Sequence, residues 1–430
     1  MRLSAGVLVA YATPALGLAA LLFTVQFFFL KYGAEVLLLS PATVGALMAV
    51  AKLWDAVSDP VIGAASDRYR GAGGRRRPFM WGALPVMGLG FLALWAIPVG
   101  VSPLVKVALV TGALLVFYTG FTLHSVPHVS FGVELSPQGH QRVRAFGVRH
   151  VFWTVGLFAA FAVVQLGSGK DQPAVLAMMG VVVVGALLLC AVTPALLRPT
   201  EPAGQAHSAP VVSGYLAVLG QPGTVTVFSV WFIENLGAGV VGGLAPFYAD
   251  YVLERPDLVG VLPAVYALAG IASVPVWITV SRAWGKKATW LVAMVLGAIG
   301  FALTYFSVSS VPLLYLALVL AGASMGCGGV MAIAVMGDLV DALERRSGIR
   351  QEGAFTGLLN LGLKVGIALS VGLGGVVLSS LGFEANQVQS ADTRDGIRLF
   401  FAAFPAVAFL LAAAVFARYP EPTSTRDTVD

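Results

Sequence analysis

The sequence predicts an all-α integral membrane protein with twelve transmembrane helices arranged in two six-helix bundles. Three observations support this fold class: an apolar composition, twelve long apolar runs, and an internal repeat that relates the two halves of the chain. Of the 430 residues, 58% are hydrophobic and only 11% are charged, whereas soluble globular proteins carry about 25% charged residues. Mean hydropathy is +0.87. A soluble domain this apolar would expose large sticky patches, so we expect the surface to face lipid.

Each apolar run is long enough for a membrane helix, which needs about 20 apolar residues. The runs are continuous, which favours helices over the shorter, alternating strands of a membrane barrel. The twelve runs lie near residues 5–30, 41–66, 79–98, 103–129, 145–167, 173–197, 224–250, 257–281, 288–307, 311–337, 353–381 and 398–417. A polar segment at 198–212 has the Pro, Gly and Ser content of a linker. It predicts an N-terminal bundle at 1–197, a cytoplasmic linker, a C-terminal bundle at 213–418 and a disordered cytoplasmic tail at 419–430.

The distribution of lysine and arginine predicts the orientation of the chain. If both termini are cytoplasmic, most of the basic residues outside the spans fall on the cytoplasmic side, as the positive-inside rule requires. No Lys/Arg tract indicates nucleic-acid binding. We therefore expect a monomer in the cell inner or plasma membrane that contacts membrane lipid and a small-molecule substrate. We expect no cofactor other than a coupling ion.

An internal repeat relates the second apolar run to the eighth. Val44-Gly45 aligns with Val259-Gly260, and Pro60-Val61 aligns with Pro275-Val276. Each copy runs into a basic, glycine-containing loop. Two duplicated six-helix halves are the architecture of major facilitator transporters, whose substrate site lies near the membrane midplane between the halves.

Two aspartates interrupt the second apolar run. Asp55 and Asp59 align with Gly270 and Val274 in the repeat, so the fold of that helix does not require carboxylates there. A charge inside the membrane costs at least about 2.5–3.5 kcal/mol. Residues four apart share a helix face, and two like charges there repel unless a cation or a shared proton sits between them. We predict that Asp55, Asp59 and the Ser58 hydroxyl bind a coupling cation, either Na⁺ or H⁺.

Two lysines lie within the spans and are the predicted charge partners of this pair. Lys52 precedes Asp55 by three residues, and Lys364 lies in the eleventh run. A lysine that pairs with an aspartate only when the ion is absent would couple ion occupancy to conformation. The alternative is a permanent salt bridge between Lys364 and one aspartate that only holds two helices together.

Other polar residues are candidates for substrate binding and gating. A lone glutamate inside a span normally faces a cavity, which makes Glu234 a candidate for the substrate path. The alternative is a carboxylate that a neighbouring helix satisfies. We expect the substrate set to be Trp54, His124, Ser125, Arg149, Glu234, Asn235 and Asn360. We expect the gating set to be Asp67, Arg68, Arg75, Arg76, Arg77, Asp338, Asp341 and Glu352, with the arginines pairing acidic groups of the other half. The alternative is that the arginine loop is only a topology signal.

The segment Lys52-Leu-Trp-Asp-Ala-Val-Ser-Asp-Pro60, followed by Gly-Arg-Arg-Arg-Pro at 74–78, resembles the glycoside–pentoside–hexuronide:cation symporter family. The run Asp338-Leu-Val-Asp341 and the eleventh apolar run with Lys364 carry the same resemblance. It covers most of the chain. The resemblance implies that Asp55, Asp59 and a fourth-span threonine, Thr122, form the cation site with Lys364 at its border. It also implies that Arg149 lies near the sugar site.

The sequence departs from the galactoside carriers of that family. Their sugar-binding carboxylates and tryptophan correspond to Ala15 or Pro14, Ser125 and Gly329 here. The resemblance therefore implies cation-coupled symport of a sugar or glycoside by alternating access, without indicating which sugar. The main alternative is a lysophospholipid, amphipath or drug transporter of the same fold. A membrane enzyme lacks a convincing catalytic constellation, and a transport-dead sensor is the remaining possibility.

Overall fold

A computed structural model describes residues 3–71, 74–136, 138–197, 218–347 and 352–419. Every regular element in these ranges is helical. The predicted linker at 198–212 lies outside the described residues, as does the predicted tail from residue 420 onwards.

The first six predicted spans are six separate helices. Serine or aspartate side chains accept a backbone N–H at the start of four of them, at Ser4, Ser40, Ser102 and Asp171, which satisfies donors that the helix itself leaves unpaired. The helices are α1 (Ala5–Glu35), α2 (Pro41–Arg68), α3 (Arg77–Trp95), α4 (Pro103–Glu134), α5 (Gly139–Gly167) and α6 (Gln172–Leu196).

The last six predicted spans appear as five helices. The helices are α7 (Thr224–Phe247), α8 (Val261–Phe306), α9 (Val311–Ser347), α10 (Glu352–Ser380) and α11 (Ala391–Ala417). A short π-helix, Tyr248–Val252, continues α7. The element α8 contains the predicted eighth and ninth spans as two span-length helical parts, which the non-helical backbone of Gly285 (φ 78°, ψ 164°) separates. A residue other than glycine adopts this left-handed φ only with strain.

Ten of the described helices are long and apolar enough to cross a membrane. One of them, at Pro256–Phe306, has 51 residues, enough for two crossings. The helix α2 is not among the ten, because Lys52, Asp55 and Asp59 lie within it. Counting α2 and both parts of α8 gives the twelve predicted spans, so the fold class is confirmed.

Close backbone approach holds the first six helices together. In α3, a Cβ on Gly90 would lie 2.3 Å from the backbone nitrogen of Phe117 in α4. In α1, a Cβ on Gly17 would lie 2.5 Å from the carbonyl oxygen of Ala186 in α6. Small residues at such crossings are typical of membrane helices, whose association depends on close packing. The helix α1 is the most buried of the six.

The chain clusters into two compact units. The first comprises Met1–Gln205 with Ala249–Val261 and Val371–Thr393, and the second comprises Ala206–Tyr248, Leu262–Ser370 and Arg394–Asp430. Within the first unit, the buried ammonium of Lys31 contacts Glu35 and lies 2.6 Å from Asp250 Oδ2. The Tyr251 hydroxyl also donates to Glu35, at 2.6 Å. The segment 249–261 is therefore tied to the C-terminal end of α1.

Within the second unit, tryptophan and serine side chains tie the helices together. The Trp231 indole of α7 donates to the carbonyl oxygen of Leu359 in α10, at 3.0 Å. In α8, Trp277 and Ser273 both donate to the carbonyl oxygen of Ala323 in α9, at 2.8 and 3.3 Å. These bonds place buried indole N–H groups on backbone acceptors, as their burial requires.

Candidate functional site

A buried polar cluster lies between α2 and α4 of the first unit. Asp55 has no exposed surface, and its Oδ1 accepts a hydrogen bond from the Thr122 hydroxyl at 2.9 Å. The Ser58 hydroxyl lies 3.1 Å from the Asp55 carbonyl oxygen and 3.3 Å from the Thr122 hydroxyl. Residues 55 and 58 meet α4 together because positions three apart share a helix face. We call Asp55, Ser58, Thr122 and Lys52 the Asp55 cluster.

The positive charge of the Asp55 cluster comes from its own helix. The Lys52 ammonium lies 3.5 Å from Asp55 Oδ2, and 5.2 Å from the centre of the Tyr118 ring of α4. Both side chains of this ion pair are buried. Asp59 lies one turn further along the same face and is half-buried. The structure therefore brings together Asp55, Ser58, Thr122 and Lys52, which supply two hydroxyl oxygens, a carboxylate and one ammonium.

The other predicted charge partner, Lys364, lies on α10 in the second compact unit and is half-buried. Its pairing with Asp55 or Asp59 remains a prediction.

Four of the predicted substrate residues have accessible surface. Arg149 of α5 is half-buried, and its guanidinium lies over the Trp153 ring at 5.7 Å. The Nε of Arg149 is buried and makes no hydrogen bond with any described residue. Trp54 is 44% exposed and donates to the Thr119 hydroxyl at 2.9 Å. Ser125 is half-buried and Asn360 is exposed.

The other three predicted substrate residues are buried in this structure, and their role in solute binding remains a prediction. Glu234 has no exposed surface, and both carboxylate oxygens lie 3.1 Å from the Trp290 indole nitrogen. Asn235 donates to the carbonyl oxygen of Trp231 in its own helix. His124 Nε2 lies 3.0 Å from the carbonyl oxygen of Cys190 in α6. Glu234 and His124 therefore contact residues of neighbouring helices, which an apolar run alone does not reveal.

Two of the predicted gating arginines, Arg75 and Arg76, pair with carboxylates of the first unit. Arg75 and Arg76 bind Glu134 at the end of α4, at 2.6 and 3.1 Å, and Arg76 also binds Asp67 at 2.5 Å. Arg77 donates to the carbonyl oxygen of Pro194 at 2.8 Å. We expected partners in the other half of the chain. In this structure, Arg75, Arg76 and Arg77 instead contact residues of the first unit.

The acidic part of the predicted gating set lies in the second unit. Asp338 of α9 binds the Lys286 ammonium at 2.6 Å. Asp341 on α9 and Arg68 at the end of α2 are exposed. The side chain of Glu352 lies outside the described part of the chain.

Several residues of these sites were not identified from the sequence. Glu134, Lys286, Tyr118 and Trp290 each contact a predicted residue from another helix or loop. Trp153 contacts Arg149 from the same helix, four residues further on, a spacing that the sequence does show. A buried charge needs a partner of opposite charge or a hydrogen-bond donor. That rule predicts that such partners exist, but the choice among distant residues depends on helix packing.

Comparisons with known proteins agree with the fold and identify the family. The glucuronide carrier protein homolog of Escherichia coli (strain K12) is 26% identical over 408 residues, covering 91% of this chain and 87% of the relative. The isoprimeverose transporter of Lactiplantibacillus pentosus is 23% identical over 410 residues, covering 92% of this chain and 84% of the relative.

Solved structures of transporters share the same fold. A bacterial homolog of the human lysosomal transporter Spinster, in an inward-facing and unoccupied conformation, matches with a TM-score of 0.75 at 14% identity, over 97% of this chain and 98% of that one. The nucleoside transporter NupG (D323A mutant) matches with a TM-score of 0.74 at 14% identity, over 95% and 100%. The profile of the family described as MFS/sugar transport protein matches residues 10–421. The chain therefore belongs to the MFS/sugar transport protein family and is a multi-pass membrane transporter, not an enzyme.

Proposed function

We propose that this protein is a secondary active transporter that couples the symport of a sugar or glycoside to a cation by alternating access. The observation that carries the proposal is the Asp55 cluster. In it, a fully buried carboxylate on α2 accepts a hydrogen bond from a threonine hydroxyl and forms an ion pair with a lysine ammonium. The relatives named as a glucuronide carrier homolog and an isoprimeverose transporter support a sugar-like solute.

The energetics of the Asp55 cluster support a site for a mobile cation. A charge inside the membrane costs at least about 2.5–3.5 kcal/mol, and Lys52 neutralises Asp55 from 3.5 Å. Carboxylate and hydroxyl oxygens are the ligands that a hard cation prefers. We propose that Asp55, Asp59, Ser58 and Thr122 bind Na⁺ or H⁺ in exchange for the lysine contact. Lys364 is the second proposed charge partner.

The solute contact proposed on the first unit centres on Arg149. A guanidinium held over an aromatic ring presents its N–H groups in a fixed plane, and the buried Nε of Arg149 has no hydrogen-bond acceptor among the described residues. Sugar hydroxyl or carboxylate oxygens are suitable acceptors. Trp54 and Ser125 complete the proposed set on this unit, and Asn360 is a separate proposed solute residue of the second unit. We further propose a monomer in the plasma membrane with both termini cytoplasmic.

The test is a binding and uptake screen on purified protein. Thermal stability would be measured with glucuronides, other glycosides and lysophospholipids, each with Na⁺, Li⁺ or choline and at several pH values. Solutes that stabilise the protein would then be tested for uptake into proteoliposomes under an imposed Na⁺ or proton gradient. We expect a glycoside to be concentrated by one of the two gradients. Accumulation of an amphipath alone, or uptake indifferent to both gradients, would contradict the proposal.

A further inference from the structure

A second carboxylate is buried in the other compact unit, far along the chain from the Asp55 cluster. Glu234 lies in the middle of α7 with no exposed surface. The packing around it is close, because a Cβ on Gly328 of α9 would lie 2.9 Å from Glu234 Oε2. Water therefore has no open route to this carboxyl group in the structure.

The described groups around Glu234 offer one hydrogen-bond donor and no cation. The Trp290 indole nitrogen, in the second part of α8, lies 3.1 Å from each carboxylate oxygen, so a single N–H is shared between two acceptors. The titratable groups near enough to interact with Glu234 electrostatically are Tyr266 of α8 and Cys327 of α9. Neither can carry a positive charge. Within the described ranges, no lysine, arginine or histidine forms an ion pair with Glu234.

Of the remaining helices beside this part of α7, α10 carries Lys364, two residues from Gly366. No ion pair joins this lysine to Glu234 within the described ranges. A Cβ on Gly366 of α10 would meet the side chain of Asn235, and a Cβ on Gly237 would meet Ala408 of α11. The Asn235 amide is committed to the carbonyl oxygen of Trp231. The Tyr266 hydroxyl is itself buried without a hydrogen-bond partner in the described part of the chain. It is therefore not donating to Glu234.

Glu134 and Glu234 differ in the positive partners that lie beside their carboxylates. Glu134 is also buried, but it has the guanidinium groups of Arg75 and Arg76 at 2.6 and 3.1 Å. A carboxyl group without a positive partner in a low-dielectric interior loses its proton only at a large cost in desolvation, so the group stays protonated. One shared indole N–H is a weak substitute for two guanidinium groups.

We infer that Glu234 is a proton-binding site that holds a proton at neutral pH and is separate from the cation site at Asp55. The neutral carboxyl group keeps one oxygen as acceptor for the Trp290 N–H and carries the proton on the other. It links α7 to the second part of α8 without placing a charge in the bundle. Release of this proton requires the contact between Glu234 and Trp290 to open to water, so occupancy of the site is tied to the packing of these helices.

Infrared spectroscopy of the full-length protein tests this directly, because a protonated carboxylic acid has a carbonyl stretching band that an ionised carboxylate lacks. We expect the wild-type protein at neutral pH to show a band that disappears in Glu234→Gln. Asp257→Asn is the control, because this exposed carboxylate pairs with Arg255 at 2.7 Å and the variant should keep the band. An identical band in Glu234→Gln and wild type would overturn the inference.

A second variant keeps the test valid if Glu234→Gln fails to fold. Trp290→Phe removes the indole N–H and retains an aromatic ring. The carbonyl stretch should then remain and shift to higher frequency, since the acceptor oxygen loses its hydrogen bond. A Trp290→Phe spectrum with an unshifted band would show that the protonated group is not Glu234.

Discussion

Replacing Lys52 with methionine should increase the affinity of the protein for its coupling cation. The Lys52 ammonium lies 3.5 Å from Asp55 Oδ2, so it competes with any cation for that carboxylate. Two unit charges at this distance interact by about 5 kcal/mol at an effective dielectric constant of about 20. If only a third of that opposes cation binding, its removal contributes about 1.5 kcal/mol, which is about a tenfold change in affinity.

The sign of this effect is the same whether Lys52 leaves Asp55 or stays beside it when the cation binds. In the first case, the variant removes a competitor, and in the second it removes repulsion between two positive charges. The assay is the rise in thermal stability of the purified protein with Na⁺, Li⁺ or proton concentration, because a ligand that binds only the folded state stabilises it by an amount that grows with the ratio of ligand concentration to Kd.

Lys106→Met is the matched control for this experiment. Lys106 is also buried, but its ammonium donates to the carbonyl oxygen of Leu37 at 2.7 Å and not to a carboxylate. It should lose stability without any change in the cation response. Equal cation affinity in Lys52→Met, Lys106→Met and wild type would refute the argument that Lys52 and a cation compete for Asp55.

Two further predictions concern stability, measured as thermal unfolding of the purified protein. Glu134→Gln should destabilise the protein by about 3–5 kcal/mol, because it leaves the guanidinium groups of Arg75 and Arg76 without their buried partner. Asp257→Asn, which breaks the exposed pair with Arg255, should leave the unfolding temperature unchanged, and an equal loss in both variants would contradict this account. Gly90→Ala should destabilise the protein by about 1–3 kcal/mol, because the added Cβ would lie 2.3 Å from the backbone of Phe117. Gly82→Ala in the same helix meets nothing within 4 Å, so it should cause no loss, and similar unfolding temperatures for the two variants would contradict the proposed close packing of α3 and α4.

The sequence predicted the number and position of the spans because hydropathy is a property of each segment by itself. It also predicted the separation of the eighth and ninth spans at residues 282–287, where the backbone leaves the helical conformation at Gly285. A glycine with basic neighbours between two apolar runs is typical of a turn between spans.

The candidate site was predictable in part. Asp55 and Asp59 stood out because charge inside an apolar run has a known cost. Their surroundings depend on which helices pack together, and Thr122 is 67 residues from Asp55 along the chain. The contact between Glu234 and Trp290, which lies 56 residues away, could not be predicted for the same reason. A pattern in one helix cannot show which residue of another helix covers it.

The most direct test of the proposed mechanism is to compare concentrative uptake with exchange in proteoliposomes containing wild-type protein or Asp55→Asn. The variant keeps the shape of the side chain and its capacity to accept the Thr122 hydrogen bond, but it cannot supply a negative charge for the cation. We predict that the wild type concentrates its glycoside under an inward cation gradient. Asp55→Asn should lose that accumulation and still exchange labelled for unlabelled solute. Accumulation by Asp55→Asn equal to that of the wild type would contradict the claim that this buried carboxylate binds the coupling ion.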